Sequence, residues 1–190
     1  AITKLLWVIV IVTGTFSCEI VDRLQKQGPT KLTLDSVSIW KIGTSGGSPF
    51  FHSKAINGDW AIKTPELTMI ITGKKTSSHR RFLTGSIFAV ETENVIIDSL
   101  VDAHIFVEQN ETPVVWKETT IEPKIYNNKA GLHFRKVSED DKLRMHIFFE
   151  PLPKTKIVKI TARLINTSQE NVAIKCGSEL WWKDGDIFSP

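Results

Sequence analysis

Along most of this chain the apolar residues come in short runs, often at every second position, and each run stops at a cluster of Gly, Pro, Asn, Asp or Ser. From Lys31 onward the runs are "KLTLDSVSIWKI" (31–42), "DWAI" (59–62), "ELTMIIT" (66–72), "FLTGSIFAVE" (82–91), "NVIIDSLVDAHIFVE" (94–108), "PVVWKETTI" (113–121), "GLHFRKV" (131–137), "KLRMHIFFE" (142–150), "KIVKITARLIN" (156–166) and "NVAIKC" (171–176). No apolar stripe of helical period runs through them, so the pattern predicts strands. The segments between, such as "GTSGGSP", "NGD", "NNKAG" and "SEDD", have turn and loop compositions. In "KLRMHIFFE" the alternation puts Leu143, Met145, Ile147 and Phe149 on one face and Arg144, His146, Phe148 and Glu150 on the other. In "KIVKITARLIN", Ile157, Ile160 and Leu164 keep no single phase. Roughly eight to ten strands in about 160 residues fit an all-β, two-sheet antiparallel β-sandwich of jelly-roll or immunoglobulin-like type better than a doubly wound α/β fold.

The N-terminal stretch "LLWVIVIVTGTFSC" (5–18) breaks this rhythm. Lys4 precedes it, and Thr15 and Ser17 stand where a leader peptidase prefers small residues, which reads as a secretory leader. A membrane span takes about 20 apolar residues. Lys4 and Glu19 bracket only fourteen. If retained, the stretch has two local readings. As a helix it continues through "CEIVDRLQKQGP" to Gln27 and stops at Gly28 and Pro29. As a strand, the β-branched "WVIVIVT" suits a pleated surface covered on both sides. Apolar surface of this extent, at about 25 cal/mol per Å², must be buried somewhere. The chain therefore divides into an apolar N-terminal segment, residues 1–27, and a β-sandwich domain, residues 28–190, with "QKQGPTK" (25–31) as the linker.

Two resemblances attach to this segment. The ending "TFSC" resembles the lipobox of bacterial lipoproteins, which implies acylation of Cys18, although Phe16 stands where that family places a small residue. The outline of the first 27 residues, an Ala start and an apolar helix ahead of a strand-rich head, is similar to type IV pilin-type subunits and implies burial of that helix among neighbouring copies.

Composition narrows the classes. At 190 residues and 41% hydrophobic the chain builds one sizeable core. The balance of 24 Lys and Arg against 21 Asp and Glu leaves a net charge of +3, without the concentrated basic face of an electrostatic nucleic-acid binder, so no nucleic-acid partner is expected. Two cysteines, Cys18 and Cys176, exclude a multi-cysteine metal site. A disulfide closing a long loop, a lipid on Cys18 and two packed thiols all remain open.

Candidate chemistry is sparse. His104, His133 and His146 each sit in a predicted strand; if their faces coincide, with Asp102 or Glu150 nearby, they form a candidate metal site, against the commoner reading of histidines on a half-exposed sheet. The loop "GKKTSSHRR" places Lys74, Lys75, His79, Arg80 and Arg81 together as an anion-binding candidate for phosphates, anionic lipid or acidic glycans, against that of a solvated hairpin tip. No G-x-S-x-G elbow occurs, and "SEDD" reads as a solvated turn. "GTSGGSP" lacks the ending of a phosphate-binding loop and reads as a flexible loop, and "DGD" (184–186) is too short for a calcium loop. Asn110 and Asn166 begin glycosylation sequons. No catalytic residue and no cofactor is expected.

The resulting expectation is a non-catalytic structural or adhesive subunit of an extracellular filament or shell. It self-associates through its N-terminal segment, with membrane association a further partner, and resides outside the cytoplasm as a secreted, cell-surface or virion-surface protein. The rivals are a secreted or lipid-anchored binding domain that begins at Cys18 and a β-sandwich hydrolase.

Overall fold

The structure is a computed structural model and describes residues 10–12, 29–49, 55–73, 84–92 and 95–182. Among these residues the chain is all-β, with thirteen strands and no helix. They are β1 (Val10–Val12), β2 (Lys31–Leu34), β3 (Val37–Lys41), β4 (Trp60–Lys63), β5 (Leu67–Ile71), β6 (Ile87–Thr92), β7 (Val95–Gln109), β8 (Thr112–Pro113), β9 (Trp116–Tyr126), β10 (Lys129–Ser138), β11 (Leu143–Pro151), β12 (Val158–Asn166) and β13 (Ile174–Trp182).

The strands form two sheets. A five-stranded sheet has the order β1-β12-β11-β10-β9, and an eight-stranded sheet runs β13-β7-β6-β5-β4-β3-β2, with β8 added on β7. Consecutive strands pair antiparallel in both, so each sheet is largely a meander of hairpins, and β13 returns to the first meander beside β7. The exception is β1, which pairs parallel to β12 with Val10 opposite Ile160 and Val12 opposite Ala162.

Several turns follow from their residue types. Asn127 and Asn128 link β9 to β10 with φ of 49° and 59°, the two left-handed positions of a type I′ hairpin, which Asn tolerates. Asn110 and Glu111 do the same between β7 and β8, at φ 51° and 61°. The single apolar run 31–42 is two strands, because Asp35 at φ 51° opens a two-residue turn that pairs Leu34 with Val37. In "KIVKITARLIN" the phase becomes regular once the strand is seen to start at Val158: Val158, Ile160 and Ala162 are buried, and Ile157 stands exposed ahead of it. The run "NVAIKC" extends well past its predicted end, since β13 continues through Trp181 and Trp182.

Alternation along the strands builds the core. Leu132 and Phe134 from β10, Met145, Ile147 and Phe149 from β11 and Ile160 from β12 meet Val37, Ile39, Trp60, Ile62, Met69 and Ile71 of the other sheet in one hydrophobic cluster. Each large apolar side chain so buried contributes about 1.5 to 3 kcal/mol. Phe134 and Phe149 meet edge to face, with ring centroids 5.5 Å apart. A second cluster, Ile42, Ala61, Ile70, Phe88 and Ala89, uses the opposite face of the eight-stranded sheet, so β5 is buried at every position. In the glycine-rich loop 43–49, Gly43 N–H donates to the Gly46 carbonyl at 2.8 Å, and the Trp40 indole donates to the Gly47 carbonyl at 2.9 Å.

Candidate functional site: a histidine pair on a cationic sheet face

The strands that point Leu132, Phe134, Met145, Ile147 and Phe149 into the core turn their alternate residues outward. Register aligns these outward residues in rows across the five-stranded sheet. One row is Glu122, His133, Phe148 and Thr161, and the next is Thr120, Arg135, His146 and Arg163. Beyond the second row Arg144 stands between Val137 and Ile165, and on the other side Lys124 lies opposite Gly131 and Lys159 opposite Glu150. The face thus gathers Lys124, Lys129, Arg135, Arg144, Lys159 and Arg163 against Glu122 and Glu150, with Glu118 opposite Val137 in the register. Lys129 is bonded to Glu150 at 2.7 Å.

His133 and His146 are diagonal neighbours on this face and touch. Their rings stack with centroids 5.1 Å apart and planes inclined by 23°, and His133 Nε2 lies 3.0 Å from His146 Nδ1. This N···N separation is a hydrogen bond in which one imidazole donates and the other accepts. The other ring nitrogen of His133, Nδ1, lies 3.8 Å from the Glu122 carboxylate. Phe148 packs against the same histidine, with centroids 6.5 Å apart, and Tyr126 meets the Phe148 edge at 6.1 Å. The His133 pKa is lowered to about 4, first by burial and then by the Lys124 and Arg135 charges. At neutral pH the ring is therefore uncharged and has a lone pair to offer.

Of the remaining predicted residues that the structure describes, Glu150 shares this face and the others lie elsewhere. The structure brings together two of the three candidate metal histidines. His104 is on β7 in the eight-stranded sheet, opposite Glu179. Asp102 lies on β7 as well, opposite Trp181, and Glu150 is engaged with Lys129. Among the described residues no group of three His, Cys, Asp or Glu side chains is arranged to hold a metal ion. The anion-binding candidates Lys74, Lys75, Arg80 and Arg81, with His79, lie outside the described residues, as do Cys18, the "DGD" segment and most of residues 1–27. Cys176 is an exposed free thiol on β13, opposite Val107. Of the two sequons, Asn110 is exposed in its tight turn, whereas the Asn166 amide donates to the Glu170 carbonyl at 2.7 Å and accepts from Ser168 N–H at 2.9 Å.

Two features of the face escaped sequence reasoning. Glu122 as the carboxylate beside His133, and the gathering of cations from four strands, both depend on register, and no local run of basic residues announces them. The alternation of "KLRMHIFFE" alone already placed Arg144, His146 and Phe148 on one side.

No family model, no curated protein and no solved structure matches this chain.

Proposed function

We propose that the protein is a non-catalytic adhesive domain that works outside the cytoplasm, built as a two-sheet antiparallel β-sandwich, and that it adheres through the outer face of its five-stranded sheet to an anionic polysaccharide. The sandwich reading is supported by the larger hydrophobic cluster, which draws side chains from both sheets. The observation that carries the adhesive reading is the excess of cations on that outer face, spread over β9, β10, β11 and β12. Guanidinium and ammonium groups at strand spacing offer several contacts to sulfate or carboxylate groups along an extended chain. The rings of this face make a poor platform for successive bases: His133 and His146 stack on each other, Phe148 is half-buried, and Tyr126 alone of these four is exposed. A polyanion held by charge, and not a nucleic acid held by stacking, is the ligand class that suits the face.

The test is binding to a sulfated polysaccharide at several salt concentrations, because such contacts weaken as salt screens them. Replacing Arg135, Arg144 and Lys159 together by Ser should release the protein at clearly lower salt. Replacing Lys74, Lys75, Arg80 and Arg81 should leave retention nearly unchanged. The reverse result would move the site to the loop, and retention indifferent to both sets would end the adhesive reading.

A second reading is favoured by the pairing of β1 with β12. An apolar N-terminal strand that completes a sheet edge can complete the same edge of a neighbouring copy, and this supports a structural subunit that assembles through its arm. Sizing of the full chain against a chain lacking residues 1–27 tests it: equal oligomeric states would remove the arm from assembly.

A further inference from the structure

We propose that His133 and His146 form a chelating site for a divalent transition metal, with Cu(II) the best fit, in which Glu122 orients His133 and water completes the coordination. The inference is independent of the adhesive reading and uses a different property of the same face.

Geometry carries the argument. Two nitrogen ligands about 2.0 to 2.1 Å from one metal ion stand about 2.9 Å apart at a right angle and about 3.3 Å apart at the tetrahedral angle. His133 Nε2 and His146 Nδ1 are 3.0 Å apart, close to the right-angled value. To bind the metal both rings would turn so that their lone pairs meet at the ion instead of along the N···N line; the shared proton would leave to solvent, and the ring that gave it up would take a proton at its other nitrogen. A right-angled pair of imidazoles with open positions is the tetragonal arrangement that Cu(II) prefers, and Cu(II) also heads the affinity order for nitrogen sites.

The surroundings support the pair. The Glu122 carboxylate lies 3.8 Å from His133 Nδ1, the nitrogen left free when Nε2 binds metal. At that distance the two groups are not hydrogen-bonded; rotation of the ring that closed the gap to hydrogen-bond distance would give the carboxylate–histidine–metal order, which fixes the tautomer and raises the basicity of the ligand nitrogen. Register holds the three residues in place, since Glu122 is directly opposite His133 and His146 is two residue pairs along, on the same face. Phe148 lies beside His133, with ring centroids 6.5 Å apart. Lys124 and Arg135, which act on His133, oppose a cation, and Glu122 offsets part of that charge. His104 is in the other sheet and takes no part.

Titration of the full chain with Cu(II), followed by electron paramagnetic resonance, reads the site directly. One Cu(II) per chain is expected, with an axial signal carrying hyperfine structure from two imidazole nitrogens. His133→Gln and His146→Gln should each weaken binding at least tenfold and lose one nitrogen from the spectrum, while His104→Gln should match the unmodified chain. Glu122→Gln leaves both ligands in place and guards against a ligand variant that fails to fold; it should weaken binding by about tenfold. Loss on His104→Gln, absence of one-to-one binding, or histidine variants that bind as the parent does would overturn the site. Unchanged affinity in Glu122→Gln would remove that residue from it.

Discussion

The Phe148 ring occupies the space that a side chain at Gly131 would need. A Cβ built on Gly131 would meet the Phe148 ring edge, and the Phe149 carbonyl oxygen would stand 2.7 Å away on the same side. Gly131 on β10 thus lets the edge of the β11 ring come close to the strand, beside His133. The glycine weakens its strand slightly by its own freedom, yet it sets the shape of the site.

Gly131→Ala should therefore cost about 1 to 3 kcal/mol, the usual penalty for overpacking a closed position. Urea denaturation measures it. Because the clash involves backbone oxygen as well as the ring, Phe148→Leu in the same chain should recover only part of the loss. Full recovery would mean that the ring alone excludes the methyl group.

Lys136 makes stability depend on pH on the alkaline side. It points into the core from β10 and donates to the Thr84 carbonyl at 2.6 Å, and burial lowers its pKa from the ordinary 10.5 to about 8. Between those values the unfolded chain holds the proton and the folded chain does not, so stability rises with pH across that window and levels off above it. The difference amounts to about 3 kcal/mol at 1.4 kcal/mol per unit. Lys136→Met should abolish the rise and gain stability at pH 7. Denaturation curves from pH 7 to 10.5 that are parallel for both chains would show that the ammonium is not destabilised by burial.

Asp59 ties together the chain before β4 and the chain after β5, at the end of these two strands. Fully buried, it accepts from Ile56 N–H at 2.9 Å through Oδ2 and from Gly73 N–H at 3.1 Å through Oδ1. Asp59→Ala leaves both donors without these acceptors, and at about 1 to 3 kcal/mol for each unsatisfied group the variant should lose several kcal/mol. Asp59→Asn retains one acceptor oxygen and should lose roughly half as much. Equal losses in the two variants, read by thermal melting, would show that packing volume and not hydrogen bonding sets the effect.

The strand content of this fold was legible because burial on one face imposes a period of two, and every predicted run overlaps an observed strand. Run ends were less legible. Asp35 and Ser36 look like strand interior until a left-handed φ turns them into a hairpin, and Ile157 looks like core until Val158 is seen to begin the strand. The candidate site was half legible. Strand alternation points His133 and His146 outward, but which histidines meet depends on which strands pair, and that is fixed by hairpin order and register over the whole sheet. His104 shares their local pattern and lies in the other sheet. The cationic face was invisible for the same reason: its members are far apart in the sequence and adjacent only through the ladder.

The turn at Asn127 and Asn128 controls that ladder. Its two left-handed residues close β9 on β10 with Tyr126 opposite Lys129, and seven pairs along the same register Thr119 faces Lys136, with Glu122 brought opposite His133 on the way. A slip of one residue would turn Glu122 to the inner face and Ile121 outward. Asn128→Gly keeps the backbone free to hold φ near 59° and should leave stability unchanged or raised by about 0.5 kcal/mol. Asn128→Val forces a β-branched side chain into the left-handed region and should cost about 1 to 3 kcal/mol. The two variants are best compared by hydrogen exchange of the β9 and β10 amides, which should lose protection in Asn128→Val and keep it in Asn128→Gly. Equal protection in both would mean that the bulged end of the pair near Ser138, and not the hairpin turn, sets the register that brings Glu122 to His133.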